Sequence, residues 1–186
     1  MAPTQTMVTA EQLLAQGNAD RCELIRGEIV PMTPASPGHG RIASRLDTRL
    51  RNYVEARSLG EVYGGDVGFH IERDPDTVRA PDIAFVRAER AAEEPERGFF
   101  PGPPDLAVEV VSPDDRLSEA MAKVQDWLAA GCEAVWLVDP ATQRVTIFRT
   151  GQTTVLKAGD TLTGGDLLPG FALPVAELFA RARSAG

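Results

Sequence analysis

The chain is short of the residues that build several familiar sites. Two cysteines occur in 186 residues, Cys22 and Cys132, far apart and without a CxxC or a histidine-rich neighbour. Zinc ligation therefore has little support, and both read as reduced thiols in or near the core. Histidine is as scarce, with His39 and His70 alone, so a serine or cysteine triad lacks supporting signal. There is no GxxxxGK[ST], no GxGxxG opening a helix and no GxSxG elbow, which removes the P-loop, dinucleotide-binding and α/β-hydrolase readings. No apolar run approaches the roughly 20 residues a membrane helix needs. The start MAPTQTMVTAEQ has no basic region followed by an apolar one, so the expectation is a cytoplasmic protein with no membrane partner. Positive charge is in deficit too: 19 Lys and Arg face 27 Asp and Glu, giving a net charge of −8. That balance argues against a protein that coats nucleic acid non-specifically, because such binding comes from Lys and Arg neutralising phosphates.

What is present is ordinary globular material. Hydrophobic residues make up 43% and charged residues 25%, and 186 residues suffice for one domain with a real core. The expectation is a single domain over residues 1–186.

TAEQLLAQG (9–17) carries a short-helix signal with a threonine cap and a glycine stop. RCELIRGEIVPM (21–32) reads as a hairpin turning at Arg26-Gly27, followed by the Pro-, Gly- and Ser-rich loop TPASPGHG. From about His39 to Leu59, Ile42, Leu46, Leu50 and Val54 recur every four residues, which predicts one long amphipathic helix. Its arginines, Arg41, Arg45, Arg49, Arg51 and Arg57, are the densest positive charge in the chain. They either face phosphate or form a solvated face paired with Asp47 and Glu55. Residues 61–71 and 78–86 read as two strands joined by a turn at Arg73-Asp74-Pro75-Asp76. Residues 87–103 read as a charged, proline-punctuated surface loop that could lie over a site. Further strands are expected at 134–138, 144–149 and 153–157. The pattern is α/β, a mixed α+β sheet flanked by helices.

The stretch from Pro104 to Lys123 carries the chemistry. Leu106, Val108 and Val110 alternate with Ala107, Glu109 and Val111, so Glu109 emerges from an otherwise apolar face. Burying an unpaired carboxylate costs on the order of several kcal/mol, so such a glutamate is protonated, salt-bridged or bound to a metal. A second acid, Asp82, starts the apolar segment PDIAFV. After Val111, Ser112-Pro113-Asp114-Asp115 reads as a helix entrance, with the helix running to about Ala130 and stopping at Gly131. Lys123 lies about two turns into it, with a stem long enough to carry its ammonium back toward Glu109. Two acids suit a hard cation held through oxygen, and a lysine suits orienting or deprotonating water and offsetting phosphate charge. The same three residues also read as structural salt bridges.

PDIAFV, then PDLAVEVVSPDDR, then Lys123, then AAGCEAVWLVDP together resemble the Uma-two family of restriction endonucleases, a branch of the PD-(D/E)xK nuclease superfamily. CELIRGEIVPM and SPGHGRIASRL resemble that family's N-terminal hairpin and first helix, so the likeness covers nearly the whole chain. It implies a restriction-endonuclease-like α/β core, Mg²⁺ as cofactor with Mn²⁺ as a substitute, DNA as substrate, and Asp82, Glu109 and Lys123 in the catalytic positions. Asp82 and Glu109 would be the metal ligands. The superfamily pattern places lysine two residues after the second acid, where this chain has Val111, so Lys123 would serve from the neighbouring helix. Trp127, four residues after Lys123, is read as a packing residue.

His39 and Glu23 also match family positions. His39 reads as a phosphate or water contact at a helix start, or as a capping, solvent-facing residue. Glu23 reads as a third acid near the metal, or as a salt-bridge partner on the strand surface. Asp105 is expected to begin the strand that carries Glu109. The function expected is a metal-dependent endonuclease hydrolysing DNA phosphodiesters, with a homodimer by analogy to restriction-type nucleases. The alternative is a catalytically silent regulatory or nucleic-acid-binding protein that keeps the fold, which the acidic balance favours.

Overall fold

The computed structural model describes residues 7–17, 22–112 and 117–181. The chain opens with α1 (Ala10–Ala15), the hairpin strands β1 (Cys22–Ile25) and β2 (Glu28–Pro31), and the long helix α2 (Pro37–Glu55). Next come β3 (Gly60–Gly64), β4 (Phe69–Glu72), β5 (Thr77–Arg79), β6 (Ile83–Arg87), α3 (Ala88–Ala91) and β7 (Phe100–Pro101). The second half runs β8 (Leu106–Val110), α4 (Leu117–Ala129), β9 (Ala134–Asp139), β10 (Arg144–Arg149) and β11 (Gln152–Leu156). It closes with β12 (Thr161–Gly164), β13 (Leu168–Pro174) and α5 (Val175–Phe179).

Local chemistry accounts for the first elements. Thr9 and Gln12 form a reciprocal capping box on α1, worth about 1 kcal/mol. Arg26 and Gly27 both take positive φ, 50° and 80°, which matches the twist of a two-residue hairpin turn. Ser36 caps α2 by accepting the His39 amide, and Pro37 occupies the first turn, where a missing N–H costs nothing.

The central sheet has the order β11-β10-β9-β8-β6-β3. β8 and β9 are parallel, joined over one face by α4, while the remaining neighbours are antiparallel. Both faces of its middle strands are buried, so they read as nearly continuous apolar runs. Leu106, Val108 and Val110 pack toward α2, against Ile42, Leu46, Leu50 and Val54. Ala107 on the other face packs toward α4, against Val124 and Trp127. A second sheet, β2-β1-β5-β4-β7, stands beside the first, and β12 pairs with β13.

Several expectations are corrected. The segment 61–71 is two strands in different sheets, interrupted by a turn at Gly65-Asp66. The segment 78–86 is likewise divided into β5 and β6 by Ala80-Pro81-Asp82, where proline has no N–H for a ladder. The stretch 87–103 does not cover the acids: it holds α3 and β7, buries Phe100 beside Phe69, and borders a separate pocket of about 290 Å³. The arginines of α2 follow the solvated-face expectation at Arg51, which pairs with Asp47, and depart from both expectations at the others. Arg41 and Arg45 donate to the carbonyls of residues 177–180, Arg49 pairs with Glu177, and Arg51 pairs with Asp47. Arg41, Arg45 and Arg49 fasten the C-terminal helix to α2. The expected helix entrance at Pro113-Asp114-Asp115 lies outside the described residues.

Candidate active site at the junction of two sheets

The corner Ala80-Pro81-Asp82 carries the chain from one sheet to the other, and the candidate residues collect there. Asp82 sits at the entry to β6, Glu109 near the end of the adjacent β8, Glu23 on β1 and His39 in the first turn of α2. Lys123 projects from α4, and all five line one cleft of about 750 Å³.

Glu109 is 5% exposed, the only acid within the buried run of β8. Its Oε1 accepts the Trp127 indole N–H at 2.8 Å and its Oε2 accepts from Lys123 Nζ at 3.2 Å. Burial pushes its carboxyl up to about 7; Lys123 opposes this, Asp82 adds to it, and the Trp127 bond opposes while Glu23 adds. Burial would lower the Lys123 ammonium, yet the carboxylates of Glu109, Glu23 and Asp82 reverse this and hold its pKa above the ordinary range. Glu109 is raised chiefly by desolvation, whereas Lys123 is raised by the carboxylates around it despite desolvation.

Asp82 Oδ2 accepts the Val110 backbone N–H at 2.6 Å and lies 3.1 Å from His39 Nε2. Glu23 is buried, not on a strand surface: Oε2 takes Arg79 Nη1 at 2.7 Å, and Oε1 takes the Ala80 amide at 3.1 Å. The same Oε1 stands 3.4 Å from Lys123 Nζ, so the ammonium is held between two carboxylates. Arg79 in turn binds Asp126 of α4 at 2.5 Å.

The structure thus brings Asp82, Glu109, Lys123, Glu23 and His39 to one place. Trp127, Arg79 and Asp126 belong to the same network, and sequence reading gave them no such part. Helical spacing held the signal: positions 123, 126 and 127 share one face of α4, so whatever Lys123 approaches, its neighbours three and four residues on approach as well. Asp105 starts β8 at the opposite end, bound by Arg87 and Arg90 and away from the cleft. Among the described residues, no three His, Cys, Asp or Glu side chains are grouped as a ready metal cage.

The fold and cleft define an α/β protein with two acids and a lysine at a sheet junction. The chain belongs to the Uma2 family, described as "Putative restriction endonuclease", whose model matches residues 9–176. A search among curated proteins finds no match. Among solved structures, the chain is similar to "a putative nuclease belonging to DUF820 from Anabaena variabilis ATCC 29413", with a TM-score of 0.80 and 21% identity. That likeness covers 92% of this chain and 97% of the other, and it shows the same fold. No described helix is long and apolar enough to cross a membrane.

Proposed function

We propose that the chain is a metal-dependent endonuclease that hydrolyses DNA phosphodiester bonds. The observation that carries this is the meeting of Asp82, Glu109 and Lys123 in one cleft, within a family described as restriction endonucleases. The donor set suits a hard divalent cation. Asp82, Glu109, Glu23 and Asp126 outnumber Lys123 and Arg79 in the connected network, and Glu109 resists ionisation chiefly because it is buried, with Asp82 and Glu23 adding to the effect. Magnesium commonly takes one or two carboxylates and keeps several waters, a demand that Asp82 and Glu109 in the cleft can meet. Asp82 and Glu109 would hold Mg²⁺, with Mn²⁺ as a substitute. When bound, such a cation supplies Lewis acidity toward a phosphoryl oxygen and neutralises its charge.

The chain's own residues supply the rest. Lys123, kept cationic by three carboxylates, stabilises negative charge developing on the phosphoryl group. Glu23 keeps that ammonium beside Glu109, and His39 with the Val110 amide orients Asp82. Incubation with plasmid, single-stranded DNA and RNA in Mg²⁺, Mn²⁺ or EDTA tests the reading, and cleavage dependent on the cation is the expected result.

A second reading is a regulatory or nucleic-acid-binding protein that keeps the fold without cutting. It is favoured by the net charge of −8, and by the cleft, where Lys123 is the only Lys or Arg among the described lining residues. Absence of cleavage with any cation would select it. A homodimer, which would present two cutting sites to two strands, is tested by sedimentation at micromolar concentration. Monomer alone would exclude it.

A further inference from the structure

We propose that Trp127 is a positioning residue for Glu109: its indole N–H fixes one carboxylate oxygen inside the core, so that the other faces Lys123 and the cleft. Trp127 is fully buried, and its ring meets Phe69 edge-on at 6.2 Å between centroids. An indole nitrogen can only donate, and it has one hydrogen to give. That hydrogen goes to Glu109 Oε1 at 2.8 Å.

Packing alone does not require this bond. Trp136, the other tryptophan of the chain, fills the opposite face of the sheet with its N–H unpaired among the described residues. Trp127 instead spends its donor on the one buried acid of β8. With Oε1 committed to the indole and Oε2 to Lys123, Glu109 offers the cleft a single oxygen. Both donors stand four residues apart on α4, so that helix face sets the carboxylate plane and the ammonium position together. The consequence for a cation rests on the nuclease reading, whereas the arrangement of Trp127, Glu109 and Lys123 does not.

The test uses the whole protein with Trp127→Phe, which keeps a ring in the core and removes the N–H. The chain has two lysines, Lys123 and Lys157, so labelling lysine with ¹³C at Cε gives two signals. The Lys123 signal is expected to move in Trp127→Phe while Lys157 stays. Calorimetry should show Mn²⁺ affinity about 10- to 100-fold weaker, the scale for losing a hydrogen bond to a metal ligand, with kcat lowered and KM little changed. An unmoved Lys123 signal in folded Trp127→Phe overturns the proposal, whatever happens to the cation. If the parent protein neither binds Mn²⁺ nor cuts nucleic acid, the nuclease reading fails and the lysine signal alone decides this one. If Trp127→Phe does not fold, the Trp127 indole proton resonance in Glu109→Leu, which has no side-chain acceptor, assigned with Trp136→Phe, decides instead. A large upfield shift supports the bond, and an unchanged resonance overturns it.

Discussion

The carboxylate of Asp82 receives the backbone N–H of Val110 at 2.6 Å, so the residue after Glu109 fastens the acid of one strand to the strand of the other. The Asp82 carboxylate is thereby held by the main chain next to Glu109. A charge-assisted bond of this kind is roughly twice as strong as a neutral one.

That link leads to the first expected outcome. Asp82→Ala and Glu109→Ala should each abolish cation-dependent cleavage and remove Mn²⁺ binding measured by calorimetric titration. Unchanged binding in both variants would refute their assignment as ligands.

Lys123→Met should separate binding from turnover. The stem stays apolar and long, so packing is largely kept, while the ammonium that offsets phosphate charge is lost. Turnover should fall by about 10²-fold or more, the usual scale for losing a positioned electrostatic or proton-transfer group. Mn²⁺ affinity should be retained, and single-turnover kinetics beside calorimetry would read both.

Glu109 makes stability depend on pH in a definite sense. Its folded-state value of about 7 stands above the ordinary 4.5, so its contribution is fully present below 4.5 and lost as pH rises through 7. Urea midpoints without divalent cation should therefore fall from pH 5 to pH 8 more steeply in the parent than in Glu109→Gln. The difference should be on the order of 2–3 kcal/mol. Equal slopes in the two proteins would count against the shift. Asp76 and Glu133 act in the opposite sense, their carboxyls held below the usual range, but their effect is complete below this window.

Arg79 is buried between Glu23 and Asp126, and removing it leaves two acids without their partner. Arg79→Leu should cost about 3–5 kcal/mol by chemical denaturation, the penalty for breaking one side of a buried ion pair. A loss below about 1 kcal/mol would place the pair among interactions that matter little to stability.

The two thiols should react unequally. Burial pushes the Cys132 thiol up to about 12, while Cys22 is only half-buried. A thiol reagent at neutral pH should modify Cys22 in the native protein and both residues in urea. Rapid modification of both without urea would contradict the buried environment of Cys132.

The parts legible in the sequence were those with a local or periodic cause. The cap of α1, the turn at Arg26-Gly27, the stripe Ile42-Leu46-Leu50-Val54 and the protrusion of Glu109 follow from neighbours a few residues apart. The divisions within 61–71 and 78–86 were not legible, because both halves of each segment look like strand and only the pairing partners differ. Glu23 reads in the sequence either as a third acid near the site or as a salt bridge on the strand surface, because its neighbours in sequence do not show which partners it meets. Its burial is set by Arg79 and Lys123, 56 and 100 positions away in the chain. Trp127 was read as packing because a donor aimed at a distant carboxylate leaves no trace in periodicity.

The corner at Ala80-Pro81-Asp82 has a consequence for the chain during its synthesis. A nascent polypeptide that has reached Val111 already carries Glu23, His39, Asp82 and Glu109, but neither the ammonium nor the indole of α4. At that length the acids of the corner have no lysine to separate them, and Glu109 has neither of the side-chain donors it meets in the folded protein. Completion of the site therefore waits on α4, so the growing chain remains chemically incomplete until synthesis has passed that helix, which ends at Ala129 of 186 residues.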